Sequence, residues 1–443
     1  MKFNFSSKPF ATHGGTHVPD SKSTAQMQSV SMPIPAQVIL PMLQHVGAPC
    51  TPLVKVGETV FVGQKIGESD ALISAPIHAS ISGRVSAVKK VMLPNGVSAD
   101  AVVIDSDGKM EVSPDIKPPS VKTVREFIHA IRESGLVGLG GAGFPTHVKL
   151  TVPQDKHIDT LIINIAECEP YITADHREVL ENTEALLSGI CTVRDFLNIE
   201  QVIIAVEKNK PDVIEILQKN IQQPENSSIS ILPLLSRYPQ GAEKVLVKTC
   251  TNRSIPMGKL PADAGCLVLN VGTAAFIADY LKTGMPLIKK RVTIDGSAVK
   301  NPQNVIAPIG TRISEIIAFC GGYQSPLKKL LMGGPMMGLS VADDSLPIIK
   351  QNNAILAFNE HESHLQETTA CIRCGRCVEG CPMNLMPVKL EQFTGSEDIE
   401  NLKEYDAMCC IECGTCSFNC PAGRPLVQAI RLGKGMIKAG GNK

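Results

Sequence analysis

The sequence predicts a multidomain α/β chain, and three observations predict it. Residues 160–165 and 201–206 are aliphatic, β-branched runs. Each precedes a stretch with apolar residues on a 3.6 period, 175–190 and 211–222, and this alternation implies a mainly parallel sheet. Residues 38–112 hold short alternating strands broken by Gly57, Gly63 and Gly67, the pattern of a small β domain. The C-terminal region carries two four-cysteine runs separated by a helix-rich insert at 386–408. A length of 443 residues accommodates roughly two to four domains.

The cysteine runs carry the most specific chemistry. Cys371-Ile-Arg-Cys374-Gly-Arg-Cys377-Val-Glu-Gly-Cys381-Pro and Cys410-Ile-Glu-Cys413-Gly-Thr-Cys416-Ser-Phe-Asn-Cys420-Pro both read C-x2-C-x2-C-x3-C-P. This run holds cubane [4Fe–4S] clusters, and its fourth cysteine ligates the other cluster. The spacing therefore assigns Cys371, Cys374, Cys377 and Cys420 to one cluster, and Cys410, Cys413, Cys416 and Cys381 to the second. Cys409 is left over, because using it would lengthen the first gap. Two zinc sites or a disulfide framework are the alternatives, and the duplication with its prolines disfavours both. A pair of such clusters moves electrons one at a time.

Composition excludes several classes. Charged residues make up 19 % and the formal net charge is zero, so no basic surface points to nucleic acid. Trp is absent and aromatics reach only 4 %, against base-stacking or carbohydrate platforms. The six cysteines outside the tail are scattered, as buried reduced thiols would be. Residues 1–9 have no apolar core of a signal peptide, and the nearest candidate span, 262–281, is broken by Asp263, Asn270 and Asp279. The expectation is a chain that does not cross a membrane but can dock onto a membrane partner.

Taken in order, residues 1–37 read as a polar arm. The 38–112 domain resembles the barrel-sandwich hybrid of biotinyl and lipoyl carriers. Its inter-half stretch, Glu68-Ser-Asp-Ala-Leu72, lacks the lysine those carriers modify, so a structural or docking role is expected. A linker, 113–119, and a helix over 121–134 lead to Gly138-Leu-Gly140-Gly141-Ala-Gly143-Phe-Pro-Thr-His-Val-Lys149. Backbone N–H groups of such a loop can hold phosphate, and a tight turn is the plainer alternative. It is not the G-x-G-x-x-G dinucleotide fingerprint. Asn164 and Glu167 end a predicted strand, where open α/β sheets bind ligands. Short strands and turns over 289–345 include Gly333-Gly-Pro-Met-Met-Gly338, read as packing, and 360–435 is the cluster domain.

The glycine loop, Asn164-x-x-Glu167-x-Glu-Pro, Tyr238-Pro-Gln-Gly241-Ala-Glu243 and Asn270-Val-Gly-Thr273 occur in one order. Together they resemble the flavin- and NADH-binding subunit of respiratory complex I. The resemblance implies a Rossmann-like FMN-binding domain over 120–288 and a small ubiquitin-like (β-grasp, SLBB-type) domain over 289–345. It implies that Gly138, Gly140, Gly141 and Lys149 hold the FMN phosphate and ribityl groups. Asn164 and Glu167 would approach the flavin. Tyr238, Gly241 and Glu243 would border the NADH pocket, with Asn270 and Thr273 completing the site. The chain departs from that pattern at Gly138-Leu139, Ala166 and Ala242.

The domain order, with Leu43-Gln-His-Val-Gly-Ala-Pro and Ser74-Ala-Pro-Ile-His-Ala, is similar to the RnfC family, the C component of Rnf-type (Rsx) electron-transport complexes. The implied role is electron input at the cytoplasmic face of a membrane complex. NADH reduces FMN, or NAD+ is reduced in reverse, and electrons pass through two [4Fe–4S] clusters to membrane and iron–sulfur subunits. Those subunits exchange electrons with ferredoxin and drive Na+ or H+ transport. The alternatives are a flavin-dependent cobalamin reductase of propanediol-type microcompartments and a non-catalytic relay or docking subunit. Hydride transfer needs stacking rather than an acid–base group, so no catalytic acid or base is assigned.

Overall fold

The computed structural model describes residues 8–153, 155–222, 226–363 and 366–440. The arm has no core of its own. Among its described residues a short strand, β1 (Val30–Ser31), adds in parallel to the edge of a mixed sheet far along the chain, pairing Val30 with Val305. Residues 1–7 of the expected arm lie outside the described residues.

Two antiparallel sheets follow. Strands β2 (Gln37–Pro41), β3 (Thr51–Pro52), β4 (Thr59–Val60), β5 (Lys65–Glu68), β6 (Ile77–His78), β7 (Gly83–Met92) and β8 (Ser98–Ser106) form the orders β2-β8-β7-β4 and β3-β5-β6. Period-2 alternation puts Val38, Leu40, Val102 and Ile104 between them, against Ile66, Ile77 and Ile81. The stretch after β5 is tied down rather than free. Arg132 Nη2 donates to Ser69 O at 2.7 Å, and Lys65 pairs with Glu133 at 2.6 Å. This domain is thus docked onto the next one, as expected for a barrel-sandwich fold without a swinging arm.

That next domain begins with α1 (Val124–Glu133), opened by a Thr123/Glu126 capping box, and α2 (Thr146–Leu150). Then β9 (Thr160–Ile165), α3 (Ala174–Phe196), β10 (Gln201–Glu207), α4 (Pro211–Asn220), β11 (Ile229–Leu234), α5 (Glu243–Thr251), β12 (Cys266–Asn270) and α6 (Val271–Thr283) alternate as anticipated. The four parallel strands run β11-β10-β9-β12. The chain therefore steps outward from β9 to β11, then jumps back to place β12 on the other side of β9. Helices α3 and α6 cross in contact at Gly189, where a Cβ would sit 1.8 Å from the Ala274 carbonyl oxygen. Gly189→Ala must push the helices apart. We expect a loss of ~1–3 kcal/mol, read as a lower melting temperature by circular dichroism.

The mixed sheet comprises β13 (Lys289–Asp295), β14 (Gln303–Pro308), β15 (Lys329–Met332), β16 (Leu339–Val341) and β17 (Ala354–Phe358), with α7 (Ile313–Phe319) between β14 and β15. Its order is β1-β14-β13-β17-β15-β16. This sheet does not end at 345, the boundary expected from the sequence. Strand β17 lies inside it, parallel to β13 and antiparallel to β15. The apolar run 354–358 is buried throughout but too short to separate strand from linker by pattern.

The cysteine-bearing domain is helical: α8 (Arg376–Glu379), α9 (Pro387–Gly395), α10 (Ile399–Glu404), α11 (Thr415–Phe418) and α12 (Leu426–Gly440). Leu385, Leu390, Leu402 and Ile430 make its core. The insert forms α9 and α10 as expected, whereas α12 was not anticipated from the sequence.

Lys350 pins three domains together. Its buried Nζ donates to Pro76 O at 2.5 Å and to Gly135 O at 2.7 Å, and its backbone N–H meets Gln44 Oε1 at 3.2 Å. Burial pushes this lysine down to about 7. The unfolded chain therefore binds the proton more tightly than the fold does. The group's contribution is present above the ordinary lysine value of about 10.4 and is lost as pH falls to about 7. Melts from pH 10 to 7 are expected to show this fall in the parent and not in Lys350→Met.

Candidate functional site

The jump from β11 to β12 makes a topological switch point between β9 and β12, and ligands bind outside the C-terminal strand ends at such a point. The sequence places an asparagine at each end there, with Asn164 and Asn270 paired in register. Asn270 is the N-cap of α6. Its Oδ1 accepts from the N–H groups of Gly272 (2.9 Å) and Thr273 (3.4 Å), and its Nδ2 donates to Asp175 Oδ2 at 2.7 Å.

The glycine loop is folded onto this cap. Thr273 Oγ1 accepts from Leu139 N at 3.1 Å, and Leu139 O accepts from Lys290 Nζ at 3.0 Å. Gly138 N closes the loop on Phe144 O at 2.9 Å. A Cβ on Gly140 would lie 2.4 Å from Asn270 Nδ2, so only glycine lets the loop lie this close. Gly141 faces open space, with nothing within 4 Å of its would-be Cβ. The loop is thus packed on one side and open on the other. Such a cradle fits a phosphate-bearing cofactor, with Gly140 to Ala142 exposed. The 38–112 domain supports it, through Val46 N to Gly143 O at 3.1 Å.

A second group lies across the same strand ends. Asn164 Nδ2 donates to Gly241 O at 2.9 Å. Lys149 Nζ donates to Val268 O at 3.0 Å and forms an ion pair with Glu243, the first residue of α5. The structure therefore brings Lys149, Asn164, Gly241 and Glu243 together, beside Gly138, Gly140, Gly141, Asn270 and Thr273.

Two expected contacts are made elsewhere. The Glu167 carboxylate does not face the open side. It accepts from Asp175 N at 2.6 Å and His176 N at 3.2 Å, capping the start of α3. Burial raises its proton affinity, and Lys22 and Lys210 oppose that rise. Tyr238 does not border an open pocket either. It is 1 % exposed, and its hydroxyl donates to Cys413 O at 2.6 Å. It ties the α/β domain to the second cysteine loop.

The Gly333–Gly338 turn packs as expected. Its Met336 and Met337 N–H groups donate to Glu169 at 3.0 and 2.9 Å, and burial pushes Glu169 up to about 7. Lys22, in the arm, donates to the carbonyls of Glu167 (2.7 Å), Glu169 (2.8 Å) and Ile172 (2.6 Å). Neither Lys22 nor Lys290 stands out in the sequence, where each is a lone lysine without a motif.

The two cysteine runs have the same backbone. Arg373 and Glu412 are left-handed at φ 56° and 57°, and Gly375 and Gly414 at 79° and 78°. Their N–H groups follow suit, with Arg373 N 3.4 Å from Cys371 Sγ and Glu412 N 3.3 Å from Cys410 Sγ. Cys381, Cys410, Cys413 and Cys416 line one cavity with Leu385 and Ile430. Burial pushes Cys416 up to about 12 and Cys410 to about 11, so these thiols stay protonated unless a cation takes them. An iron–sulfur cluster held by these cysteines would supply that cation. The other set is nearer solvent, with Cys371 and Cys374 exposed and Cys377 and Cys420 half-buried. Cys409 packs beside Cys410 in the helical core.

A cradle at a switch point, a cavity lined by four cysteines and a second cysteine run of the same backbone fit a flavin- and iron–sulfur-dependent electron-transfer protein. Residues 131–279 match the family described as the Nuo51 FMN-binding domain, and 370–424 the 4Fe-4S dicluster domain. Residues 10–109 match the RnfC barrel sandwich hybrid domain, and 291–340 the SLBB domain. The chain is 43 % identical to the C component of the proton-translocating ferredoxin:NAD(+) oxidoreductase complex of Clostridium ljungdahlii, over 97 % of this chain and 94 % of that one. It is 44 % identical to the Na(+)-translocating counterpart of Acetobacterium woodii, over 96 % of this chain and 97 % of that one. The chain belongs to the RnfC family. Its fold is similar to a chain of an NAD+-reducing [NiFe]-hydrogenase in the air-oxidized state, at 16 % identity and a TM-score of 0.51, covering 73 % of this chain and 64 % of that one. Among the described residues, no helix is long and apolar enough to cross a membrane.

Proposed function

We propose that this chain is the electron-input subunit of a membrane-bound ferredoxin:NAD+ oxidoreductase complex. Its relatives are subunits of such complexes, and its FMN-binding and dicluster domains match the two halves of the task. The observation that carries the reading is the direct bond between the two domains, the Tyr238 hydroxyl of the α/β domain donating to the carbonyl of Cys413 in the second cysteine loop.

When bound, FMN supplies the conversion of a two-electron hydride donor into single electrons. The chain's residues do the rest. Gly138 closes the loop on Phe144 O, and Gly140 and Gly141 would present backbone N–H groups to the cofactor's phosphate and ribityl chain. Asn270 and Thr273 hold that loop in place. Lys149, steadied by Glu243, supplies a positive charge at the rim. Gly241 and Glu243 border the nicotinamide side. Cys381, Cys410, Cys413 and Cys416 hold the inner cluster, next to the α/β domain. Cys371, Cys374, Cys377 and Cys420 hold the outer one, from which electrons leave. The chain docks peripherally at the cytoplasmic face, and the coupling ion is selected by other subunits.

The test is anaerobic. The reconstituted chain is mixed with NADH while the visible spectrum and then EPR are recorded. Flavin bleaching with two reduced cubane signals is the expected result. Clusters that respond to dithionite but not to NADH would make the chain a relay or docking subunit instead.

A further inference from the structure

The second cysteine run serves as an internal control for the first. The loops share spacing and backbone, so differences in their surroundings reflect differences in use. Cys413 to Cys416 are buried. Glu412 is held by Arg431 at 3.0 Å and by an ion pair with Lys434, both on α12. Ile411 lines the inner cavity.

In the first run every corresponding feature is turned outward. Residues 366–374 and Arg376 are exposed, and 366–375 have no regular secondary structure. Ile372, the counterpart of Ile411, is 66 % exposed. Arg373 and Arg376 replace Glu412 and Thr415, and neither has a carboxylate partner among the described residues.

A cavity of about 540 Å³ opens beside this loop. Arg376, Glu379, Phe418 and the ligand Cys420 line it, and Arg237 faces them from the α/β domain. Phe418 is 50 % exposed. Arg237 is exposed too, and its guanidinium meets only a backbone carbonyl among the described residues, Gly15 O at 3.5 Å. The chain has a formal net charge of zero, yet three guanidinium groups without carboxylate partners converge around the more exposed set of thiols.

We propose that this face is the docking site for a one-electron redox protein with an acidic surface. A carboxylate-bearing segment of that partner enters the cavity between Arg237 and Arg376, while Ile372 and Phe418 make the apolar contact. Guanidinium forks pair with carboxylates bidentately, which fixes orientation as well as strength. Unpaired guanidinium groups beside an electron outlet, outnumbering the one carboxylate of the cavity wall, Glu379, also steer a partner of opposite charge. Cys420 in the cavity wall makes the occupant a redox protein, because a bound centre there lies next to the outer cluster. One electron leaves that cluster and one arrives on the partner's centre, with no bond made and no proton moved. The proposal rests on the chain's role as an electron relay.

The test uses the full chain with both clusters reconstituted, reduced with dithionite and freed of excess reductant. It is mixed in a stopped-flow cell with an oxidised acidic two-cluster ferredoxin as probe. The second-order rate constant is expected to fall on the order of tenfold between low and physiological ionic strength. It is expected to fall on the order of tenfold at low salt in Arg376→Glu and, separately, in Arg237→Glu. Calorimetric affinity for the probe should weaken in parallel. Arg237 lies outside the cysteine loops, so both EPR signals should be unchanged in its variant. Rates and affinities that ignore salt and are equal in all three proteins would overturn the proposal. Because dithionite loads the clusters directly, that failure is separate from a failure of NADH to bleach the flavin.

Discussion

Cys416→Ala is expected to leave one cubane EPR signal where the parent gives two, and to cut the outer cluster off from NADH. Cys416 is 7 % exposed, and its neighbours are Cys410, Cys413 and Cys381. Alanine removes one corner of a buried shell that no water can replace without desolvation cost. The inner set is joined to the α/β domain through Tyr238, whose hydroxyl donates to Cys413 O, so electrons from the flavin are expected to enter there first. NADH should still bleach the flavin, while reduction of the remaining cluster by NADH slows on the order of a hundredfold, because the relay has lost a station. Dithionite should reduce that cluster normally. Parental rates of NADH-driven reduction would remove the inner set from the path. Loss of the inner cluster should also lower the melting temperature, since metal binding and folding are coupled.

The second large effect is on flavin retention. In Gly140→Ala the new methyl carbon meets Asn270 at 2.4 Å (Nδ2), 2.8 Å (Cγ) and 3.2 Å (Cβ). Asn270 cannot simply swing away, because Oδ1 caps α6 and Nδ2 bonds Asp175. Either the loop lifts or the cap breaks. A lost cap costs ~1 kcal/mol and a lost hydrogen bond to a carboxylate ~2 kcal/mol. Together these predict about a hundredfold weaker FMN binding, measurable by flavin fluorescence titration. Gly141→Ala separates packing from ligand contact. Its methyl meets nothing in the protein, so its melting temperature should match the parent while FMN binding falls. Parental FMN affinity in Gly140→Ala would mean that the loop does not hold the cofactor.

The two clearest parts of the chain in the sequence were those with a strict local rule. Cubane ligation imposes a fixed spacing on eight cysteines, and parallel βα units impose alternating periods on residues 160–222. The cradle was legible only in part. Gly140 could be seen as a glycine in a loop, but its reason is Asn270, which is distant in sequence and close in space. Glu167 and Tyr238 carried family roles by position, and the structure gives both to the protein's own backbone. Nothing local marks a carboxylate as a cap for a helix beginning several residues later, or a tyrosine as a bond to a different domain. Lys22, Lys290 and Lys350 were invisible for the same reason: each is defined by carbonyls from remote segments. Helix α12 follows Pro425 with apolar residues at Leu426, Val427 and Ile430, a 3.6-period signal that was there to be found.

The arm has a consequence for the order in which the molecule is made. Gly15 N bonds Gly380 O at 2.8 Å, and Thr16 Oγ1 bonds Asn419 Oδ1 at 2.7 Å, across a separation of 403 residues. Its strand partner, Val305, and the carbonyls that Lys22 gathers also lie far downstream. On the ribosome this segment emerges before any surface it needs has been synthesised, and contacts of such span form slowly. This segment is therefore made long before the surfaces it binds, and its docking across the cysteine-bearing domain closes the molecule only after that domain has been built.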